Sequence, residues 1–181
     1  LAASPGRATP DEARAFVAAH GAAVVKAVAG GGGRGMRVVT DAAALAAAWE
    51  RCRAEAAAAF GDDRLYVEQW LPRARHVEVQ IAGDGTRVVA LGERECSLQR
   101  RHQKLVEVAP SPSLSPRLRA RLSEAAVRIG RAARCANLAT VEFLLDADAG
   151  GDAAPYFFIE ANPRLQVEHT VTEMVTGLDL V

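Results

Sequence analysis

The densest group of chemically capable side chains lies near the end of the sequence, in the segment Glu160–Glu168. Its acids, amides and arginine directly follow an apolar run, at Glu160, Asn162, Arg164, Gln166 and Glu168. Core packing gives no reason to gather such groups at the end of a strand. Carboxylate and amide oxygens bind hard cations, and arginine binds small anions. The segment therefore predicts a site that holds a cation and an anion together.

A second candidate is the glycine-rich stretch Ala29–Met36, which follows Lys26. P-loops and dinucleotide-binding fingerprints place their glycines before a helix, whereas a strand is predicted to follow here. The glycines therefore predict a hairpin flap whose backbone N–H groups can approach a polyphosphate closely. The alternative interpretation is a flexible turn, with Lys26 a solvated strand residue.

Two acids are predicted to face each other on neighbouring strands. If the turn centres on Gly151, Glu142 lies opposite Glu160 and Thr140 lies opposite Asn162. The other face should carry Val141, Phe143, Leu145, Phe157, Ile159 and Ala161. Opposed carboxylates repel, and a hard cation between them would remove that cost. The pattern suits Mg²⁺, and two solvated acids are the alternative.

The elements that must position these groups follow from periodicity and capping signals. Helices are predicted from Pro10 to about His20, from Asp41 to Phe60 and from Pro116 to Ala133. Strands are predicted at residues 23–28, 36–39, 64–70, 76–81, 87–93, 139–146 and 156–161, with a polar, irregular segment at 94–104. Strands mixed with three helices, with prominent hairpins, indicate an α+β fold.

The composition narrows the class of protein. The 181 residues are 50% hydrophobic and carry no net charge, so a core can form and neither nucleic acid nor a membrane surface is an expected partner. Three widely spaced cysteines favour reduced thiols in a cytoplasmic protein. The first residue, Leu1, and the last five, Gly177–Val181, which are expected to continue a helix, suggest a fragment of a longer polypeptide.

Together these segments resemble the ATP-grasp superfamily and, more narrowly, the biotin carboxylase component of biotin-dependent carboxylases. The matching segments are Val25–Ala27, Gly30–Met36, Arg75–Glu78, Glu93–Lys104, Thr140–Phe143, Glu160–Glu168 and Thr172–Gly177. The resemblance implies an ATP-grasp fold, with residues 1–71 as the small lid subdomain and 72–181 as part of the large subdomain. It also implies that an N-terminal α/β domain and a C-terminal lobe are absent.

The same resemblance implies roles for individual residues. The implied ATP-binding residues are Lys26 and the flap residues Gly30, Gly31, Gly32, Gly33 and Met36 at the phosphates, Glu68, Gln69, Trp70 and Leu71 beside the adenine, and His76, Gln99 and His102 towards the ribose and phosphates. Gln69 replaces a common lysine and is expected to act through its backbone. Glu142, Glu160 and Asn162 would hold Mg²⁺ or Mn²⁺, with both acids beside the nucleotide.

The implied reaction is the carboxylation of biotin by ATP and bicarbonate. Lys104, Arg164, Gln166, Val167 and Glu168 would form the bicarbonate pocket, with Val167 acting through its backbone. Glu168 would be the general base that removes the bicarbonate proton. The product, carboxyphosphate, would deliver CO₂ to biotin, whose anion Arg164 would stabilise.

The implied partners are a biotinylated carrier domain and a carboxyltransferase component, in a homo-oligomeric parent of the cytoplasm or mitochondrial matrix. The chain alone is expected to be inactive. Two alternatives are another ATP-grasp ligase, such as a carbamoyl-phosphate synthetase-like enzyme, and a non-catalytic nucleotide-binding module. The sequence leaves open the final acceptor, which in the family is an acyl-CoA, pyruvate or urea.

Overall fold

The sequence folds into two units that meet in the chain between Pro72 and Arg73. This computed structural model describes residues 1–30, 33–100 and 103–181. Each unit has its own sheet and its own buried core. The assignment of residues 1–71 to a lid and 72–181 to part of a large subdomain stays a prediction.

The first unit, Leu1–Pro72, holds a three-stranded antiparallel sheet in the order β2-β1-β3. Its elements are α1 (Pro10–His20), β1 (Ala23–Ala27), β2 (Met36–Val39), a 3-10 turn (Ala42–Ala44), α2 (Leu45–Phe60) and β3 (Leu65–Gln69). Helix α1 starts as predicted because Thr9 and Glu12 form a capping box, in which each side chain accepts the other's backbone N–H. The predicted β1–β2 hairpin around the glycine-rich stretch is confirmed.

The core of the first unit lies between this sheet and the two helices. The sheet contributes the buried side chains Val25, Leu65 and Val67 to this core, and α2 contributes Trp49 and Cys52. Burying side chains of this size contributes on the order of 1.5–3 kcal/mol each. This packing holds β1 and β3, which carry Lys26 and Glu68, in a fixed register.

The second unit, Arg73–Val181, holds a five-stranded antiparallel sheet in the order β6-β5-β4-β7-β8. Its elements are β4 (Ala74–Gly83), β5 (Val88–Arg100), β6 (Gln103–Val108), α3 (Pro116–Ala132), β7 (Leu138–Asp146), β8 (Tyr156–Asn162) and α4 (His169–Thr176). Helix α3, capped by Ser115 as predicted, packs its apolar stripe on one face of the sheet. Val77, Val79, Ile81 and Phe143 are buried there. The prediction of an α+β fold is confirmed.

The polar segment 94–104 was expected to be irregular, and this expectation is wrong. Strand β5 continues to Arg100, and β6 begins at Gln103. The physical reason is that the second face of the sheet is also covered, so polar side chains on it pair with one another. Arg94 and Cys96 are both fully buried.

Two further expectations need correction. The opposition of Glu142 and Glu160 is confirmed, but a bulge follows it, and Phe143 pairs with Phe158 instead of Ile159. Phe158 therefore joins the apolar face in place of Phe157 and Ile159, and its ring meets the Phe143 ring edge-on at 6.4 Å. Helix α4 ends at Thr176, where Gly177 takes a left-handed conformation, so the expected continuation of this helix is wrong. Within the described ranges, no helix combines the length and apolar character needed to cross a membrane.

Candidate active site

A row of charged residues crosses four strands on the polar face of the second sheet. Glu160 on β8 lies opposite Glu142 on β7, Glu142 lies opposite Glu78 on β4, and Glu78 lies opposite Arg94 on β5. We call these four residues the charged row. Like charges directly opposed across strands destabilise a sheet. Three acids in line therefore require cations, and Arg94 supplies one at the end of the row.

Lys104 on β6 supplies a second cation above the row. Its ammonium contacts Glu78, Glu142 at 3.2 Å and Glu168 at 2.6 Å. Burial opposes its charge, but the neighbouring carboxylates of Glu78 and Glu142 prevail and raise the pKa of Lys104. The three acids of the row and Glu168 thus face two cationic groups, which leaves two negative charges for a divalent cation to balance.

Glu142 is held ionised by its neighbours. Burial acts to raise its pKa, but hydrogen bonding to His76 and the charge of Lys104 lower it to about 2. His76 Nε2 lies 2.6 Å from Glu142 Oε2, and the Gln99 amide lies 2.7 Å from His76 Nδ1. Because an amide N–H can only donate, Nδ1 accepts and the ring proton lies on Nε2, which donates to Glu142. The structure therefore brings His76, Gln99 and Glu142 together.

The residues predicted to bind metal form one compact oxygen-rich group. The amide of Asn162 lies 2.9 Å from Glu142 Oε1 and 3.0 Å from Glu160 Oε1. Two carboxylates and an amide carbonyl are donors that suit Mg²⁺ or Mn²⁺. The donor chemistry and the two unbalanced negative charges both fit a divalent cation. The position of Asn162, between both acids, fits a shared metal site.

Glu168 lies at the end of the segment that connects β8 to α4. It is the residue that immediately precedes this helix, and Lys104 donates to its carboxylate. Burial acts to raise the pKa of Glu168, but the hydrogen bond from Lys104 outweighs this and lowers it. A carboxylate with a lowered pKa is ionised at neutral pH and free to accept a proton.

The other three residues of the predicted bicarbonate pocket differ in placement. Gln166 is only 8% exposed, and among the described residues its buried Oε1 has no hydrogen-bond partner. Val167 is 88% exposed. Arg164 is exposed and donates to the carbonyl oxygen of Leu165 at 3.2 Å. The structure thus brings Lys104 and Glu168 into contact and buries Gln166, but it leaves the Arg164 guanidinium exposed and outside the charged row.

Lys26 in the first unit pairs with a residue also predicted to bind the nucleotide. Its ammonium lies 3.0 Å from Glu68 Oε2 and 5.7 Å from the centre of the Tyr66 ring. Burial acts to lower the pKa of Lys26, but the charge of Glu68 raises it. Lys26 is therefore a firmly charged group in a half-buried setting.

The remaining predicted nucleotide residues of the first unit lie in the flap, at the start of β2 and at the end of β3. Met36 pairs with Lys26 across the hairpin, Gly30 donates to Ala27, and Gly33 has a φ of 75°. The N–H groups of Gln69 and Trp70 donate to Ala2 and Ala22, and half-buried Leu71 follows them. Gly31, Gly32 and His102 lie outside the described residues.

Three residues of the site, Glu78, Arg94 and Gln80, have no role predicted from the sequence. All three are fully buried, and Arg94 donates to both of the others. A signal was present, because His76, Glu78 and Gln80 alternate on one face of a strand. Pairing of this strand with the Glu142 strand places Glu78 beside Glu142.

Comparisons with known proteins agree with this geometry. The family model described as "Carbamoyl-phosphate synthase L chain, ATP binding domain" matches residues 2–181. Pyruvate carboxylase of Bacillus subtilis (strain 168) is 49% identical over 183 residues, which cover 98% of this chain and 15% of that protein. This chain therefore spans a small part of that relative.

Solved structures of biotin carboxylases also match this chain. A complex of biotin carboxylase with β-γ-ATP from Campylobacter jejuni matches with a TM-score of 0.92 and 43% identity, over 99% of this chain and 40% of that one. The biotin carboxylase domain of 2-oxoglutarate carboxylase from Hydrogenobacter thermophilus, solved with MgADP, ADP and bicarbonate, matches with a TM-score of 0.90 and 39% identity, over 99% of this chain and 39% of that one. These matches confirm the predicted ATP-grasp fold. The chain belongs to the family of carbamoyl-phosphate synthase L chain ATP-binding domains, and within it is homologous to biotin carboxylases.

Proposed function

We propose that this chain is the ATP-binding part of a biotin carboxylase, an ATP-dependent ligase that carboxylates biotin by way of carboxyphosphate. The observation that carries the proposal is the contact between Lys104 and Glu168 beside the oxygen-rich group of Glu142, Glu160 and Asn162. This arrangement combines an anion-binding cation, an ionised base and a metal-type donor set. The names of the homologous proteins support the same activity, as do the MgADP and bicarbonate bound to the biotin carboxylase domain from Hydrogenobacter thermophilus.

Glu142, Glu160 and Asn162 are the proposed ligands of Mg²⁺ or Mn²⁺. When bound, the ion supplies positive charge to the phosphate oxygens during transfer. Lys104 keeps Glu142 ionised from one side and His76 does so from the other. Glu142 is therefore already deprotonated and can bind the metal ion without first releasing a proton.

Bicarbonate is proposed to bind beside the Lys104–Glu168 pair, whose charged groups are in contact at 2.6 Å. The ammonium attracts the anion, and the unpaired Oε1 of Gln166 offers an acceptor for the bicarbonate hydroxyl. Val167 is proposed to contribute through its backbone. Glu168 is proposed to take the bicarbonate proton, because its lowered pKa leaves it ionised at neutral pH.

The proposed ATP-binding residues are given for each unit separately. Lys26 and the flap residues Gly30 to Gly33 and Met36 would bind the phosphates, and Gly31 and Gly32 belong to this set by sequence alone. The remaining proposed contacts, at the adenine, the ribose and the phosphates, are Glu68, Gln69, Trp70, Leu71, His76, Gln99 and His102. The firmly charged Lys26 supports a phosphate role, because phosphate needs a cation that stays protonated.

The proposed reaction balances over three steps. An oxygen of bicarbonate bonds to the γ-phosphorus of ATP while the bond to the β-phosphate oxygen breaks, and Glu168 accepts the bicarbonate proton. Carboxyphosphate then splits into CO₂ and phosphate. Phosphate removes the proton from N1 of biotin, which bonds to the carbon of CO₂, and Arg164 stabilises the biotin anion before that bond forms.

The proposed partners are bicarbonate, a biotinylated carrier domain and a carboxyltransferase component. The proposed setting is a homo-oligomeric enzyme of the cytoplasm or mitochondrial matrix. Because the chain spans about 40% of the biotin carboxylase from Campylobacter jejuni, we expect it to turn over poorly by itself. Bicarbonate-dependent ADP release by the isolated chain with free biotin would contradict this expectation.

Substitution of Glu168 tests the proposed base. Glu168→Gln keeps the shape of the side chain and removes its ability to accept a proton. In the full-length protein that contains this chain, we expect bicarbonate-dependent ADP release to fall by a factor of about 10²–10⁴. Glu124→Gln, an exposed acid on α3, is the matched control and should keep full activity. Equal rates for Glu168→Gln and the unmodified protein would remove Glu168 as the base.

A further inference from the structure

A fully buried arginine, Arg94, ends the charged row, and no substrate contact is assigned to it. Its guanidinium donates to Glu78 at 2.6 Å, to Gln80 at 3.0 Å and to Thr172 at 2.6 Å. Its exposed fraction is 0%, so it is shielded from solvent. A fourth, longer bond of 3.4 Å runs to Thr140 Oγ1. Arginine alone among side chains offers five donors in a rigid plane, which allows it to satisfy four partners at once.

The bonds of Arg94 complete a closed ring that includes the proposed bicarbonate site. Arg94 binds Glu78, Glu78 binds Lys104, and Lys104 binds Glu168. Glu168 begins helix α4, and one turn later that helix carries Thr172, which accepts from Arg94. Both sides of the proposed anion site are therefore tied to one buried guanidinium.

We propose that Arg94 is a positioning residue that sets the separation between Lys104 and Glu168, through Glu78 on one side and Thr172 on the other. The inference rests on the proposed function, in which these two residues bind and deprotonate bicarbonate. In this proposal Arg94, which is fully buried, acts through its neighbours and not by contact with substrate or nucleotide. Its role is to place two groups whose spacing decides whether bicarbonate is held beside its base, and small misplacements of such groups are costly.

Thr172→Val tests this role without removing a charge. The change replaces one hydroxyl by a methyl group of similar size, so α4 loses its bond to Arg94. In the full-length protein, we expect the KM for bicarbonate to rise on the order of ten- to a hundredfold, with the KM for ATP unchanged. Thr172→Ser retains the hydroxyl and should restore the original KM for bicarbonate.

Thr176→Val is the matched control on the same helix. Its hydroxyl donates within α4, to the carbonyl oxygen of Thr172, and has no bond to Arg94. We expect its KM for bicarbonate to stay within twofold of the original. A merely structural role for Thr172 would lower the yield or melting temperature of the protein but would not raise one KM selectively.

Arg94→Lys gives a second, independent test, which applies even if Thr172→Val fails to fold. Lysine keeps the positive charge beside Glu78, but a single ammonium on a flexible stem cannot hold Glu78 and Thr172 in one plane. We expect the same selective rise in the KM for bicarbonate. An unchanged KM in a folded Arg94→Lys or Thr172→Val protein would overturn the inference.

The unmodified protein separates this inference from the proposed function. If it releases ADP in a bicarbonate-dependent manner and the variants keep their KM, only the positioning role is wrong. If it shows no bicarbonate-dependent ADP release at all, the proposed function is wrong, and the positioning role is overturned with it.

Discussion

At the scale of single residues, the site depends on one lysine whose ammonium contacts several carboxylates at once. Lys104 contacts Glu78, Glu142 and Glu168 together. It compensates the repulsion within the charged row and also keeps Glu168 ionised. The same ammonium would therefore attract bicarbonate and maintain the base that deprotonates it.

Removing the charge of Lys104 should shift the pH dependence of the reaction. Burial alone acts to raise the pKa of Glu168, and Lys104 opposes this by hydrogen bonding. In Lys104→Met the pKa of Glu168 should therefore rise, and the base should become protonated at a higher pH than before. We expect the acidic limb of the kcat/KM profile for bicarbonate to move upward in pH, with a lower plateau. Lys104→Arg should show a smaller shift, and an acidic limb at its original pH in Lys104→Met would contradict this coupling.

At the scale of elements, the second sheet carries an apolar face under α3 and a charged face that is also buried. The sequence was sufficient to predict the first face, because Val77, Val79 and Ile81 alternate without interruption, and to predict the Glu142–Glu160 register from the turn. It was not sufficient to predict that Glu78 and Arg94 are buried on the other face and pair with each other. Alternation shows which side chains share a face of a strand, but not whether the polar face meets solvent or other charged groups.

The same limit explains the wrong expectation for residues 94–104. Polar residues in a segment usually indicate a loop, because unpaired polar groups are costly to bury. In this fold some of their partners come from β4 and α4, which are distant in sequence, and others from the neighbouring strand β6. A pattern of period two also cannot predict the bulge after Glu142. One extra residue there moves the side chains beyond it to the opposite face of the strand.

The turn between β4 and β5 offers a test of element packing. A Cβ added at Gly83 would lie 2.1 Å from the backbone oxygen of Cys135, whereas one added at Gly150 would meet nothing within 4 Å. We expect Gly83→Ala to reduce the free energy of unfolding by about 1–3 kcal/mol, because a backbone atom must move. Gly150→Ala should leave it nearly unchanged. Thermal or denaturant unfolding of both variants provides the measurement, and equal stabilities would contradict the predicted clash.

At the scale of the whole molecule, each unit has a separate core. Leu65 and Val67 are buried in the first unit, and Leu122 and Phe143 are buried in the second. The proposed nucleotide contacts are divided between these units, whereas the proposed metal and bicarbonate residues all belong to the second.

Separate cores also predict local effects of core substitutions. Leu65→Ala should cost about 2–5 kcal/mol in the first unit, and Leu122→Ala should cost a similar amount in the second. Hydrogen exchange measured by mass spectrometry should speed up in residues 1–72 for the first variant and in residues 73–181 for the second. Faster exchange throughout the chain in both variants would indicate one cooperative unit and contradict the division.

The most direct test of the central claim follows one oxygen atom through the reaction. If bicarbonate attacks the γ-phosphorus of ATP, the bridging oxygen of carboxyphosphate comes from bicarbonate and stays with phosphate when CO₂ leaves. The full-length protein should therefore transfer ¹⁸O from labelled bicarbonate to inorganic phosphate, one atom per ADP released, as measured by mass spectrometry. Phosphate that carries no label from bicarbonate, despite continued release of ADP, would contradict the account.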